Sequence, residues 1–334
     1  MTIRTLLLAT AATAVAAPAL ADVTIYTTRQ PELIQPVMDA FTADTGIGVN
    51  LEFVNEALIE RLKAEGARSP ADLVMDVDIA NLQRVVDEGV TQAVDSQVLK
   101  DAIPASLRSD DDQWFGLTTR ARIVYASKER VADGEVTTYE DLTDPKWEGR
   151  ICSRSGLNNY NLALLSAVIA HHGEEAAKEW AQGLKDNLAR TPEGNDRAQV
   201  KAIWAGECDI SLGNTYYMGK MLEDEEQTEW AESVRIVFPE FEDGGTHVNV
   251  SGVAMTQSAP NREEALQLME YLVSPEAQAI YAEENHEYPV LPSAERSDLV
   301  ASWGDYTADD VDLSEVASHR AAALRIMEEV NFDG

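Results

Sequence analysis

The chain has ten tyrosines in 334 residues, and the stretch SLGNTYYMGKM places two of them, Tyr216 and Tyr217, side by side where a short apolar run gives way to a helical pattern. Tyr160 stands at a similar corner, in SRSGLNNYN. A free phenol ionises near pH 10, so it becomes an anion at neutral pH only with help. The positive end of a helix dipole gives some of that help, and a bound cation gives far more. Phenolate oxygen is hard and anionic, and three phenolates carry the charge that matches Fe³⁺. Arg29 in YTTRQP and Arg120 in WFGLTTRARIVYAS have forked donors suited to a small anion that would complete the coordination sphere. A plainer reading stays open at this point. Adjacent tyrosines more often pack in a core or at its rim, and Arg120 has many carboxylates to pair with. Tyr26, Tyr125 and Tyr139 have no chemical company in the sequence and are assigned to structure.

The elements that must position these residues alternate. VTIYTT reads as a strand, PELIQPVMDAFTADTG as a helix opened by Pro31 and closed by Gly46, GVNLEFV as a strand, and EALIERLKAEG as a helix. ADLVMDVD and IANLQRVVDEG continue the order, which predicts a mostly parallel sheet covered by helices. The pattern resumes after residue 120: GRICSRS and CDISLGN as strands, NYNLALLSAVIAHHG, DRAQVKAIWAGE and TYYMGKMLED as helices. Two α/β lobes with a cleft between them fit this order and the chain length. Ligands of open α/β sheets sit beyond the carboxyl ends of strands, so the strand-to-helix corners are where function is expected.

Arg4 followed by TLLLATAATAVAAPALA has the charged start, apolar core and small-residue cleavage site of a secretory leader over residues 1–21. Cys152 is the first cysteine, so none stands at the cleavage point to carry a lipid. A periplasmic, unanchored protein is expected. In that oxidising compartment Cys152 and Cys208 suggest one disulfide, with two buried thiols as the alternative. Fifty-nine acidic residues against 26 basic give a net charge of −33, which makes nucleic acid and anionic membranes poor partners.

Taken together, VTIYTTRQPELIQPVMDAFTADTGI, YEDLTDPKWEGRICSRSGLNNYN, GNTYYMGKM and LMEYLVSPEAQAIYAEENHEYPV resemble the periplasmic ferric-binding proteins, solute receptors of iron-import ABC transporters. The likeness runs from about Val23 to Phe332, with NTYY and RSG…YN its most specific parts. It implies a two-lobed type II periplasmic-binding-protein fold joined by hinge strands. The first lobe would hold residues 22–120 and about 244–294, the second 121–243 and about 295–334. It also implies a non-enzymatic, monomeric receptor that delivers Fe³⁺ to an inner-membrane permease and its ATPase. Carried over by position, the metal ligands fall on Tyr160, Tyr216 and Tyr217. The residues holding a carbonate or bicarbonate anion fall on Arg29 and Arg120, with Gln30 beside them. Many family members have a histidine where this chain has Gln30, and some add a tyrosine where it has Pro31, so the all-tyrosine variant is preferred.

Other cargoes, namely ferrous iron, a small organic anion or a polyamine, are the alternative within the binding class. A polyamine site should show aromatic walls and converging carboxylates, and the six tryptophans are scattered. Enzymatic readings find little. There is no GxSxG and no P-loop, and the histidines offer little to build the two-histidine, one-carboxylate site of an iron oxygenase. HHGEE (171–175) is read as a helix end, and Asp76 and Asp78 as loop caps.

Overall fold

These alternating patterns form layers in the computed structural model, which describes residues 22–54 and 57–334. The leader read over residues 1–21 lies outside the described residues. Strand β1 (Val23–Thr27), helix α1 (Gln35–Thr45), β2 (Val49–Phe53), α2 (Leu58–Glu65), β3 (Leu73–Asp76) and α3 (Ile79–Asp87) follow the order read from the sequence. The helix predicted from Pro31 starts later. Pro36 cannot follow a full turn of α-helix, because its ring clashes with the carbonyl four residues back. A 3₁₀ turn over Pro31–Leu33 therefore comes first, and Pro36 sits in the first turn of α1.

After α4 (Gln97–Ala102) comes β4 (Phe115–Ser127), thirteen residues buried along their whole length. There follow β5 (Ile151–Cys152), α5 (Asn159–Asp186), α6 (Asp196–Trp204), β6 (Ile210–Asn214), α7 (Tyr216–Leu222), α8 (Thr228–Glu232), β7 (Val234–Val237) and β8 (Val248–Met255). The chain closes with α9 (Arg262–Leu272), α10 (Pro275–Asn285), β9 (Tyr288–Pro289), α11 (Asp298–Ser302), α12 (Leu313–Ser318) and α13 (Arg320–Glu329). Among the described residues, no helix is long and apolar enough to cross a membrane.

The strands run in the order β2–β1–β3–β8–β4–β6–β5. Pairing is parallel at the two ends, β2–β1–β3 and β6–β5, and antiparallel in the middle. The middle differs because β4 serves two sheets. Its first half, to Ala121, pairs with β8, and from Arg122 onward it pairs with β6 and β7. Side chains on each strand alternate between two helical layers. Val23 and Ile25 of β1 join the core beneath α1 and α9, whereas Tyr26 faces α2 and α3. In the second half of β4, Val124 and Ala126 face α5 and α13, while Ile123 and Tyr125 face α6 and α7.

Tyr26, Tyr125 and Tyr139 are fully buried, with hydroxyls bonded to Glu65, to the Asn214 carbonyl and to the Arg122 carbonyl. Gly173, at φ 80° and ψ 167°, breaks α5. The preceding turn ends in His171, between Asp243 and Asp309, and His172, against Glu140. Asp78 caps α3, accepting from the amides of Ala80 and Asn81.

Cys152 and Cys208 are joined in a disulfide that closes a loop of sequence separation 56. Cross-linking a loop of that size restricts the unfolded chain by roughly 4 kcal/mol. The Cys152→Ser/Cys208→Ser double variant should therefore unfold at markedly lower denaturant concentration. An unchanged midpoint would show that the bridge contributes nothing to stability.

Candidate functional site

The β6–α7 corner is built rigidly. Asn214 donates its amide to Asp196 (3.0 Å), Thr215 donates to the Ala121 carbonyl (3.2 Å), and Tyr125 donates its hydroxyl to the Asn214 carbonyl (2.7 Å). Gly213 has no room for a side chain, since a Cβ there would lie 2.2 Å from the Tyr125 ring. Tyr216 and Tyr217 are thus delivered on the first turn of α7 with ring centres 4.2 Å apart. Tyr160 comes from the first turn of α5, where the Asn158 side chain caps its amide at 3.0 Å. The hydroxyls of Tyr160 and Tyr216 meet at 3.3 Å.

The three rings line a cavity of about 460 Å³ together with Arg29, Gln30 and Arg120, so all six residues singled out in the sequence border one space. Gln30 leads into the 3₁₀ turn before α1. Neither arginine is free of internal partners. Arg29 donates to both oxygens of Glu287 (3.0 and 3.2 Å) and to Ser251 (3.0 Å). Arg120 donates to the same Ser251 hydroxyl (3.3 Å) and to the Val77 carbonyl. Among the described residues, no group of three His, Cys, Asp or Glu side chains is placed to hold a metal ion. The phenols are what the cavity offers a hard cation.

Burial pushes Tyr216 well above the usual phenol value, and the neighbouring Tyr160 and Tyr217 add to this, while Arg120 pulls it back. Tyr217 is pushed up to about 12, by burial first and then by Tyr160 and Asp196; the hydrogen bond from Tyr216 and the charge of Arg154 oppose this. The helix N-terminus was expected to favour ionisation. Its help, roughly 0.3–1 kcal/mol, is outweighed by the loss of water around a phenolate. Both rings are therefore neutral at physiological pH without a cation.

Several lining residues gave no signal in the sequence. Glu287 lies in a turn between α10 and β9, and Arg197 and Lys220 face the cavity from α6 and α7. Behind Tyr160, fully buried Asp196 accepts from Arg122 and Arg154, both at 2.9 Å. The guanidinium carbons of Arg154, Arg120 and Arg122 stand 5.2, 5.6 and 6.0 Å from the Tyr160 ring centre. Such a cationic surround favours an electron-rich ring. Only the repeated Arg-X-Arg of residues 120–122 hinted at it. Asp76, nearby, is pushed up to about 6 by burial and by Asp78.

Comparison with known proteins places this geometry in context. Residues 68–305 match the family model described as bacterial extracellular solute-binding protein. Iron uptake protein A1 of Synechocystis is 45% identical over 314 residues, 93% of this chain and 87% of that protein. The apo ferric ion-binding protein A of Pasteurella haemolytica superposes with a TM-score of 0.89 at 48% identity, covering 94% of this chain and 98% of that one. A Trichodesmium protein solved with iron and citrate gives 0.89 at 41% identity, covering 93% and 99%.

The neutral state of the two corner phenols can be checked directly. In metal-free protein, Tyr216→Phe and Tyr217→Phe should leave near-ultraviolet tyrosinate absorption unchanged below about pH 10. A transition below that pH, lost in either variant, would contradict the assigned protonation.

Proposed function

The chain belongs to the bacterial extracellular solute-binding proteins, among their ferric-binding members, and from that premise we propose that Tyr160, Tyr216 and Tyr217 are the ligands through which it takes up ferric iron. The protein is a periplasmic ferric-iron receptor of ABC-type iron import with a type II binding-protein fold. Its partners are the permease and ATPase of that transporter. The leader of residues 1–21 would export it, and it would act as a monomer.

The observation that carries the ligand assignment is the meeting of three phenols in one cavity that offers a metal no histidine, cysteine or carboxylate cluster. Phenolates suit a hard trivalent ion, and three of them neutralise it. Arg120 and Arg29, with Gln30 beside them, would seat carbonate or bicarbonate in the remaining positions. On this reading residues 22–120 and about 244–294 form the lobe that brings the anion seat. Residues 121–243 and about 295–334 form the lobe that brings the phenols, and a hinge closes the two over the ion. The cavity lining speaks against a polyamine, because Arg29, Arg120, Arg197 and Lys220 would repel a polycation.

Bound iron should give a visible phenolate-to-iron charge-transfer band, and a ferric-loaded protein without one would refute the ligand set. Tyr216→Phe and Tyr217→Phe should each lower ferric affinity by on the order of a hundredfold or more, beyond what outer-sphere partners contribute. Tyr160→Phe should cost less, since water can enter its place. Competition with a chelator measures all three, and wild-type affinity in Tyr216→Phe would rule that residue out.

A further inference from the structure

Glu287 is not needed to explain a phenolate site, yet it is the carboxylate of the cavity wall. Short strand β9 fixes its place. Tyr288 and Pro289 pair with Thr119 and Thr118 of β4, an antiparallel register that brings the preceding residue level with Arg120. Glu287 is 2% exposed, and its oxygens accept from Arg29 and from the Thr118 hydroxyl at 2.6 Å. Arg29 in turn is 7% exposed, its Nε is without a partner among the described residues, and it shares Ser251 with Arg120. Two guanidiniums thus converge on one hydroxyl, and a buried carboxylate already neutralises one of them.

We propose that Glu287 is a specificity-determining residue of the anion seat: by pairing with Arg29 it removes one positive charge from the seat, so that of the two candidate anions the seat takes singly charged bicarbonate ahead of doubly charged carbonate, and it disfavours dianions in general. The inference rests on the reading of Arg29 and Arg120 as the anion seat. Two free guanidiniums in a partly dry cavity would favour a dianion strongly, because interactions there are weakly screened. With Glu287 in place, a second negative charge on the anion faces the carboxylate as well as Arg29, and the two nearly cancel.

Calorimetric titration of the metal-free protein with bicarbonate and with oxalate tests this, and it stands apart from any result with iron. Wild type should bind bicarbonate more tightly than oxalate. Glu287→Gln, which keeps an acceptor for Arg29, should gain at least tenfold for oxalate and clearly less for bicarbonate. Glu287→Asp, which keeps the charge, should retain the wild-type order. A wild type that prefers oxalate would overturn the proposal even if Glu287→Gln fails to fold. So would a Glu287→Gln protein whose oxalate affinity stays within twofold of wild type. Failure of the iron-loaded protein to show a charge-transfer band, with these anion results intact, would count against the cargo and leave the role of Glu287 standing.

Discussion

The close placement of three phenols, which would repel one another once ionised, is the constraint around which this cavity is arranged. Tyr160 and Tyr216 touch through their hydroxyls, and the Tyr217 ring lies tilted against that of Tyr216, all lining one cavity. No two of these groups ionise readily while the others are charged. Tyr216 and Tyr217 are held neutral, and on the proposed reading a bound cation would take the place of the phenol protons. On the proposed ligand set a trivalent ion would be favoured, because a weaker charge offsets less of that repulsion.

Keeping the rings in place needs rigid corners, and these draw on the fold at several levels. Strand β4 carries Arg120 into the cavity from one half and supplies Tyr125 to brace the β6–α7 turn from the other. The Cys152–Cys208 bridge ties the strand before Tyr160 to the strand before Tyr216. Asp196 holds Arg122, Arg154 and the Asn214 amide together beneath both corners. Three guanidiniums thus gather around Tyr160 in a chain whose overall charge is strongly negative.

Much of this was legible in the sequence. Strand-like runs marked β1, β2, β3, β5 and β6, and the adjacent tyrosines stood out against their rarity. Other features were not. The start of α1 depended on the ring of Pro36 clashing one turn back, and the antiparallel centre depended on β4 changing partners at Ala121–Arg122. Glu287 was hidden because its importance comes from a register contact between β9 and β4 and from Arg29, 258 residues away. Charge pairing at that distance leaves no local pattern. The direction of the phenol shifts was misjudged for a related reason: a helix terminus is visible in sequence, whereas the depth of a side chain in a cleft is not.

The central claim, that three neutral phenols give up their protons to a trivalent ion, is tested most directly by ferric affinity as a function of pH. The measurement is competition against a chelator, corrected for the chelator's own protonation. Because Tyr216 lies well above the ordinary phenol value and Tyr217 lies near 12, binding must release protons throughout the neutral range. Affinity should fall steeply as pH drops, by about two to three factors of ten per pH unit. An affinity that stays flat between about pH 6 and pH 8 would mean that iron is held without ionising these rings, and the account would be wrong.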